Sequence, residues 1–193
     1  MADNKKPQQK ARIITDKEMN NALYLITNAG HRALMALLFG TGARISEVVR
    51  SISAADIHYD EKNNCLEIEI TTEKRKHNPV RTVIVDYDFL IVPILSWLVI
   101  QKDEPYLFSM SRQRAHRLVQ RYFNTKPHSF RHTHATHLGR MMNGFELCQQ
   151  MGWARIDSAQ PYIHIDASDA KRKMLEARAK QGASENTQAT AGL

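Results

Sequence analysis

Apolar positions recur at helical spacing over most of the chain and change to strict alternation in one stretch, between Cys65 and Val85. Thr15-Asp16-Lys17-Glu18 has the form of a capping box, in which a Thr hydroxyl and a Glu carboxylate satisfy free backbone N–H groups at a helix start. It predicts a first helix running to about Asn28, broken by Ala29-Gly30. Arg32 to Phe39 is apolar nearly all round, as expected of a helix buried at the centre of a helical domain. Gly40 and Gly42 interrupt it, and a short helix restarts over Ala43 to Ser51. Leu66, Ile68 and Ile70 then alternate with Glu67 and Glu69, and Arg81 to Val85 is rich in β-branched residues. Two strands are therefore predicted on either side of a turn-like, basic Glu73 to Pro79, as a small antiparallel β-hairpin. Further helices are predicted at about 87–101, 112–123, 129–142, 145–151, 158–163 and 168–180. The reading is a mainly α domain over residues 15–180 with one hairpin inserted after the third helix, between polar, aperiodic ends at 1–14 and 181–193.

Composition and charge narrow the function. A chain of 193 residues, 42% hydrophobic and 24% charged, resembles an ordinary globular protein of one domain with tails. The longest apolar run, Phe89 to Ile100, is shorter than the ~20 residues that span a bilayer and is broken by Pro93, so no membrane partner is expected. The opening MADNKKPQQK has no apolar segment and predicts no secretion signal. Cys65 and Cys148 form no CxxC pair and no disulfide framework, which points to a reducing, cytoplasmic setting. Lys and Arg number 27 against 20 Asp and Glu, and the net charge of +7 favours an anionic partner such as nucleic acid.

Four separated patches carry candidate chemistry. In Gly42-Ala43-Arg44-Ile45-Ser46-Glu47, Arg44 and Glu47 are three apart on a helix and can pair on one face, a spacing equally common in plain surface ion pairs. In His128-Ser129-Phe130-Arg131-His132-Thr133-His134-Ala135-Thr136-His137-Leu138, His128 and Arg131 lie one helical turn apart and can present an imidazole and a guanidinium to one anion. Phe130, His134 and Leu138 share another stripe, so His134 is expected to pack in the core. His128 and His132 have the spacing of a zinc helix, but no HExxH glutamate lies between them and no third ligand is evident, so no metal is expected. The third patch is Met151-Gly152-Trp153, and the fourth is Tyr162 within Gln160-Pro161-Tyr162-Ile163-His164.

The order Arg44, His128-x-x-Arg131, Gly152-Trp153, Tyr162 resembles the signature of the tyrosine recombinases, or phage integrases: Arg, His-x-x-Arg, His or Trp, Tyr. HSFRHTHATHL is similar to that family's second arginine motif and GARISE to its first, and the likeness covers roughly Thr15 to Leu175. The resemblance implies the catalytic-domain fold of these DNA breaking and rejoining enzymes. It also implies a site-specific recombinase acting on double-stranded DNA through a 3′-phosphotyrosine intermediate formed by Tyr162. Physical chemistry agrees with that assignment. A hydroxyl attacking a phosphodiester builds negative charge in the transition state, and Arg44 and Arg131 can each donate paired hydrogen bonds to the non-bridging oxygens. His128 can add a donor or help move the tyrosine proton. Trp153 stands where many members have His; its indole N–H donates but cannot serve as acid or base.

By the same resemblance, a lysine at the hairpin tip protonates the leaving 5′ oxygen, with Lys74 and Lys76 both candidates, and Glu47 supports the active-site arginine. No cofactor and no metal are required, because the phosphotyrosine bond conserves the phosphodiester energy. Implied partners are double-stranded DNA, further copies of the chain in a tetrameric synapse, and accessory DNA-bending proteins, acting in the nucleoid. Most members carry a helical core-binding domain ahead of the catalytic one, whereas about 14 residues precede the first helix here. The chain is therefore expected to be either a fragment or akin to the short recombinases that invert promoter segments. In the family the tail helix packs on a neighbouring protomer; Met174, Leu175 and Ala179 offer an apolar stripe for this, and a frayed basic helix is the plainer alternative. Two other functions fit the pattern: relaxation of DNA in the manner of type IB topoisomerases, and a catalytically idle DNA-binding module.

Overall fold

The computed structural model describes residues 12–72, 79–101, 103–163 and Leu175. The chain divides into two compact units, Met1–Tyr162 and Ile163–Leu193. In the second only Ile163 and Leu175 are described, so the expected helix at 168–180 otherwise lies outside the described residues.

In the first unit, α1 (Asp16–Leu25), α2 (Ala29–Thr41) and the single turn α3 (Ile45–Val48) precede a sheet of β1 (Ile57–Asp60), β2 (Cys65–Thr71) and β3 (Val80–Val85). Then follow α4 (Asp88–Gln101), α5 (Arg112–Phe123), α6 (His128–Leu138) and α7 (Gly144–Met151), with short 3-10 turns at Ile156–Ser158 and Gln160–Tyr162. The sheet is antiparallel in the order β1-β2-β3. Leu66 pairs with Val85 and Ile68 with Val83, which places Leu66, Ile68, Ile70, Val83 and Val85 on the buried face. The central helix is α2, every residue from Ala33 to Thr41 being buried, and it packs against α4, α6 and β3. Phe39 and Phe123 meet Phe130 of α6 edge to face, with centroids 6.1 and 4.9 Å away, and so fix the face that α6 turns inward.

The mainly helical fold with a small antiparallel sheet agrees with the sequence reading; several boundaries differ for local reasons. The first helix stops at Leu25 instead of about Asn28, because Asn28 caps α2 by accepting the His31 N–H at 2.9 Å. Ala29-Gly30 therefore begins α2 rather than only ending α1, and Gly40 continues it. Thr15 caps α1 as expected, but Glu18 pairs with Arg12 instead of reaching back to close the box. The helix expected over Ala43 to Ser51 shrinks to α3, and Arg50 just beyond it has a φ of 58°. The expected hairpin is a three-stranded sheet: β1 joins β2 through a turn in which Asp60 accepts the N–H groups of Lys62 and Asn63. The helix expected at 158–163 is two 3-10 turns, and that expected at 129–142 is α6, ending at Leu138.

Candidate active site

The site is assembled where α2, the sheet, α6 and α7 meet. Gly42 caps the end of α2 in the left-handed region, and the chain turns so that Arg44 becomes the N-cap of α3. One turn on, Glu47 is fully buried and gathers three donors. Its Oε1 accepts Arg44 Nη1 at 2.5 Å, and its Oε2 accepts the Arg44 backbone N–H at 3.0 Å and Arg81 Nη2 at 2.9 Å. Burial alone would raise the Glu47 pKa, but the Arg44 backbone N–H and the Arg81 charge outweigh it and hold the carboxyl below its ordinary value. Glu47 is thus a buried anion between two guanidiniums, and the pairing is no surface ion pair.

A further functional residue, not among those expected from the sequence, is Arg81. It occupies an inward slot of β3, among Val83 and Val85, and is itself buried. Its Nη1 donates to Thr72 Oγ1 at 2.7 Å and its Nε to the Gln150 carbonyl at 3.0 Å. One side chain thereby ties the hairpin to α3 and α7. An arginine in the buried phase of an alternating strand was the signal available in the sequence.

Helix α6 delivers His128 and Arg131 one turn apart, as expected. Arg131 is 4% exposed and donates Nη1 to the Gly42 carbonyl at 2.9 Å and Nη2 to the Met151 carbonyl. Those two backbone acceptors aim the guanidinium and leave three of its five N–H donors for a ligand among the described residues. Burial pushes its pKa down to about 10, with Arg44 adding repulsion, so it remains a cation near neutral pH. His128 lines the same cleft. Its partial desolvation there, then the charges of Arg131, His132 and Arg44, keep its pKa below the ordinary 6.5.

Gly152 ends α7 in the left-handed region, φ 63°, and Trp153 N–H closes back on the Cys148 carbonyl at 2.8 Å. This turn sets the Trp153 ring 5.5 Å from the Arg131 guanidinium carbon and stacks it on Tyr162, centroids 5.4 Å apart. The Gln160–Tyr162 turn lies against the end of α6, where Gly139 leaves room for it: a Cβ on Gly139 would strike the Tyr162 carbonyl oxygen. Gly139→Ala is accordingly expected to push Tyr162 away from the Arg131–Trp153 pair. Quenching of Trp153 fluorescence by the stacked ring should weaken while the circular dichroism of the helices is kept; unchanged emission would count against this.

The cleft beside these groups has a volume of about 810 Å³, and Arg44, His128, Arg131, Lys126, Arg112 and Arg117 contribute to its walls. Of the residues predicted from sequence, Arg44, His128 and Arg131 line it. Trp153 adjoins Arg131 and Tyr162 stacks on Trp153; neither is among the lining residues of the cleft. Lys74 and Lys76 lie outside the described residues. The Tyr162 hydroxyl is raised above its ordinary pKa by burial, which the Arg131 charge partly offsets, and it is hydrogen-bonded to His132 Nδ1 at 2.9 Å. In the sequence His132 stands out only for its zinc-helix spacing from His128; nothing else in its local pattern marks it within a run of four histidines.

His134 packs as expected, its ring lying against Gly42. Its Nε2 is buried with no hydrogen-bond partner among the described residues. Burial, then the charges of His137, Arg131 and Arg81, pushes its pKa from 6.5 to about 3. Below pH 6.5 the unfolded chain binds a proton that the folded one refuses, so this contribution is complete above 6.5 and is lost as pH falls toward 3. The expected slope is up to ~1.4 kcal/mol per pH unit. Urea midpoints at about pH 7 and about pH 5 should differ accordingly, and by less in His134→Leu; equal slopes would clear His134 of the effect.

Among the described residues, no group of three or more His, Cys, Asp or Glu is placed to hold a metal ion, and no helix is long and apolar enough to cross a membrane. With this geometry in view, residues 12–169 match the phage integrase family, and the chain belongs to it. It is similar to tyrosine recombinase XerC of Vibrio vulnificus, 27% identical over 149 residues that cover 70% of this chain and 46% of that protein. Tyrosine recombinase XerA of Pyrococcus furiosus is 25% identical over 189 residues, 89% of this chain and 63% of that one. The chain thus spans about half to two-thirds of the length of these relatives. Its fold resembles XerH recombinase in a pre-cleavage complex with its difH substrate, with a TM-score of 0.64 at 18% identity over 80% of this chain and 50% of that one. It also resembles the crystal structure of XerA recombinase, again with a TM-score of 0.64, at 17% identity over 92% of this chain and 67% of that one.

Proposed function

We propose that this chain is the catalytic portion of a tyrosine site-specific recombinase acting on double-stranded DNA. The observation that carries the reading is the meeting of Tyr162 with Arg131 across the Trp153 ring, beside the cleft lined by Arg44 and His128. Arg44 and Arg131 bind the two non-bridging oxygens of the scissile phosphate, and His128 donates a further hydrogen bond. Tyr162 Oη bonds to phosphorus, the bond to the 5′ oxygen breaks, and the tyrosine is left joined to the 3′ phosphate. A 5′ hydroxyl then reverses the step, and attack by a hydroxyl from a second duplex gives recombination. Lys74 or Lys76 supplies the proton for the leaving oxygen. Glu47 and Arg81 hold Arg44 from behind.

The named relatives are recombinases, which supports exchange at a defined site over relaxation of DNA of any sequence. Every residue of the motif is present, which supports an active chain over an idle binding module. Exchange between two duplexes calls for a tetrameric synapse, and accessory DNA-bending proteins would assist its assembly.

The test is a covalent adduct. The protein is incubated without added metal with supercoiled DNA carrying its gene's flanking sequence, and with a pool of nicked duplexes of randomised sequence. The expected product is protein joined to a 3′ end, with the nucleotide on the Tyr162 peptide by mass spectrometry. Linkage to a 5′ end, linkage through another residue, or no adduct from either substrate would refute the reading.

A further inference from the structure

The Tyr162 hydroxyl does not meet His128, the histidine of the His-x-x-Arg motif. Its hydrogen-bond partner among the described residues is His132, the residue after Arg131, with Nδ1 2.9 Å from Oη and the two rings nearly edge to face at 5.1 Å. We propose that His132 is the base that takes the proton from Tyr162 during strand cleavage and returns it during rejoining, and this rests on the reading of Tyr162 as the nucleophile.

The geometry suits the role in three ways. First, His132 is held in place: α6 fixes its backbone, whose carbonyl accepts Thr136 Oγ1 at 2.8 Å, beside the anchored Arg131. Second, its partial burial lowers its pKa below the ordinary 6.5, so at neutral pH the ring is uncharged and Nδ1 can accept the Tyr162 O–H with the ring proton on Nε2. Among the described residues, the titratable groups set against it are Tyr162 on the 3-10 turn and His128 one turn earlier on α6; His128 is likewise lowered, so it places no full charge on its neighbour at neutral pH. Third, the phenol needs the help. Burial raises its pKa, so hydroxide in solution ionises little of it near pH 7.

In the step itself, the Oη–H proton passes to His132 Nδ1 as the Oη–phosphorus bond forms. The bond from phosphorus to the 5′ oxygen breaks, and that oxygen is protonated separately, from solvent or an ammonium group. On rejoining, the incoming 5′ hydroxyl gives its proton to solvent or to the amine as it bonds to phosphorus and displaces the phenolate, and the imidazolium of His132 returns its own proton to Tyr162 Oη.

Asparagine separates positioning from proton transfer, because its Oδ1 stands where Nδ1 does and can accept the hydrogen bond but not the proton. Adduct formation is timed for wild type, His132→Asn and His132→Ala on duplexes recovered from wild-type adducts. Each duplex is made both with the natural 5′ oxygen and with sulfur bridging that position, a leaving group that needs no acid. His132→Asn is expected to react about 10²-fold more slowly near pH 7 on both substrates. Its rate should then climb about tenfold per pH unit as hydroxide replaces the lost base, while wild type stays level. Melting curves show that the Asn variant is folded, and it keeps the proposal testable if His132→Ala is not.

A wild-type rate in His132→Asn overturns the proposal, as does a defect that the sulfur substrate erases, which would place His132 on the leaving group. A slow but pH-independent variant overturns it too, since that describes positioning alone. Absence of any wild-type adduct refutes Tyr162 as nucleophile, and the base assignment falls with it. An active wild type beside an unimpaired His132→Asn removes only His132.

Discussion

Tyr162→Phe is expected to abolish the covalent adduct while DNA affinity changes by no more than about twofold. The substitution removes one heavy atom, Oη, whose hydrogen-bond partner among the described residues is His132 and not an arginine of the cleft. The phenyl ring keeps its stack on Trp153, so the 3-10 turn keeps its main packing contact. What is lost besides the nucleophile is one hydrogen bond to His132, worth ~1 kcal/mol at a partly buried site. Denaturing gels, filter binding and a thermal melt read the three quantities on one preparation. Adduct surviving in the Phe variant would remove Tyr162 from the mechanism, whereas loss of binding in step with the adduct would make the tyrosine a DNA contact.

Arg131→Ala should combine the next largest chemical loss with a loss of stability. Removing a single neutral donor to a developing oxyanion costs ~3–4 kcal/mol, so deleting a cation that can donate twice should slow adduct formation by at least about 10³-fold. The structural part comes from the same side chain, because the carbonyls of Gly42 and Met151 lose their buried donor. Each stranded carbonyl costs ~1–3 kcal/mol. Arg131→Lys distinguishes the two effects. An ammonium restores the charge but cannot span both carbonyls and also present a planar fork to a phosphate, so it should recover part of the urea midpoint and little of the rate. Rates are compared on the folded fraction only; a Lys variant with full activity would mean that charge, not bidentate geometry, is what the site uses.

The two variants also show how unevenly the site could be read from the sequence. Arg44, His128, Arg131, Trp153 and Tyr162 stand out because the chemistry constrains their types and order along the chain. Arg81 and His132 do not stand out, although one holds Glu47 and the other holds the Tyr162 hydroxyl. Their significance depends on what lies opposite them, and the partners are distant in sequence: Glu47 for Arg81, the 160–162 turn for His132. The missed strand β1 has a similar cause. Four residues with only partial burial carry too little alternation to register alone, and pairing with β2 is what makes them a strand.

By itself the sequence determined the mainly helical class, the buried central helix, the hairpin strands β2 and β3, the placement of α4, α5, α6 and α7, and the order of the candidate active-site residues. These follow from periodicity, capping and residue chemistry, which act over a few neighbouring positions. Only the tertiary structure decided that Glu47 is a buried anion shared by two arginines, that backbone carbonyls from α2 and α7 aim Arg131, and that His132 rather than His128 meets the tyrosine. Each of these includes a bond between groups about twenty or more residues apart, and the energies involved, desolvation and hydrogen bonding at low dielectric, exist only once packing has excluded water from between them.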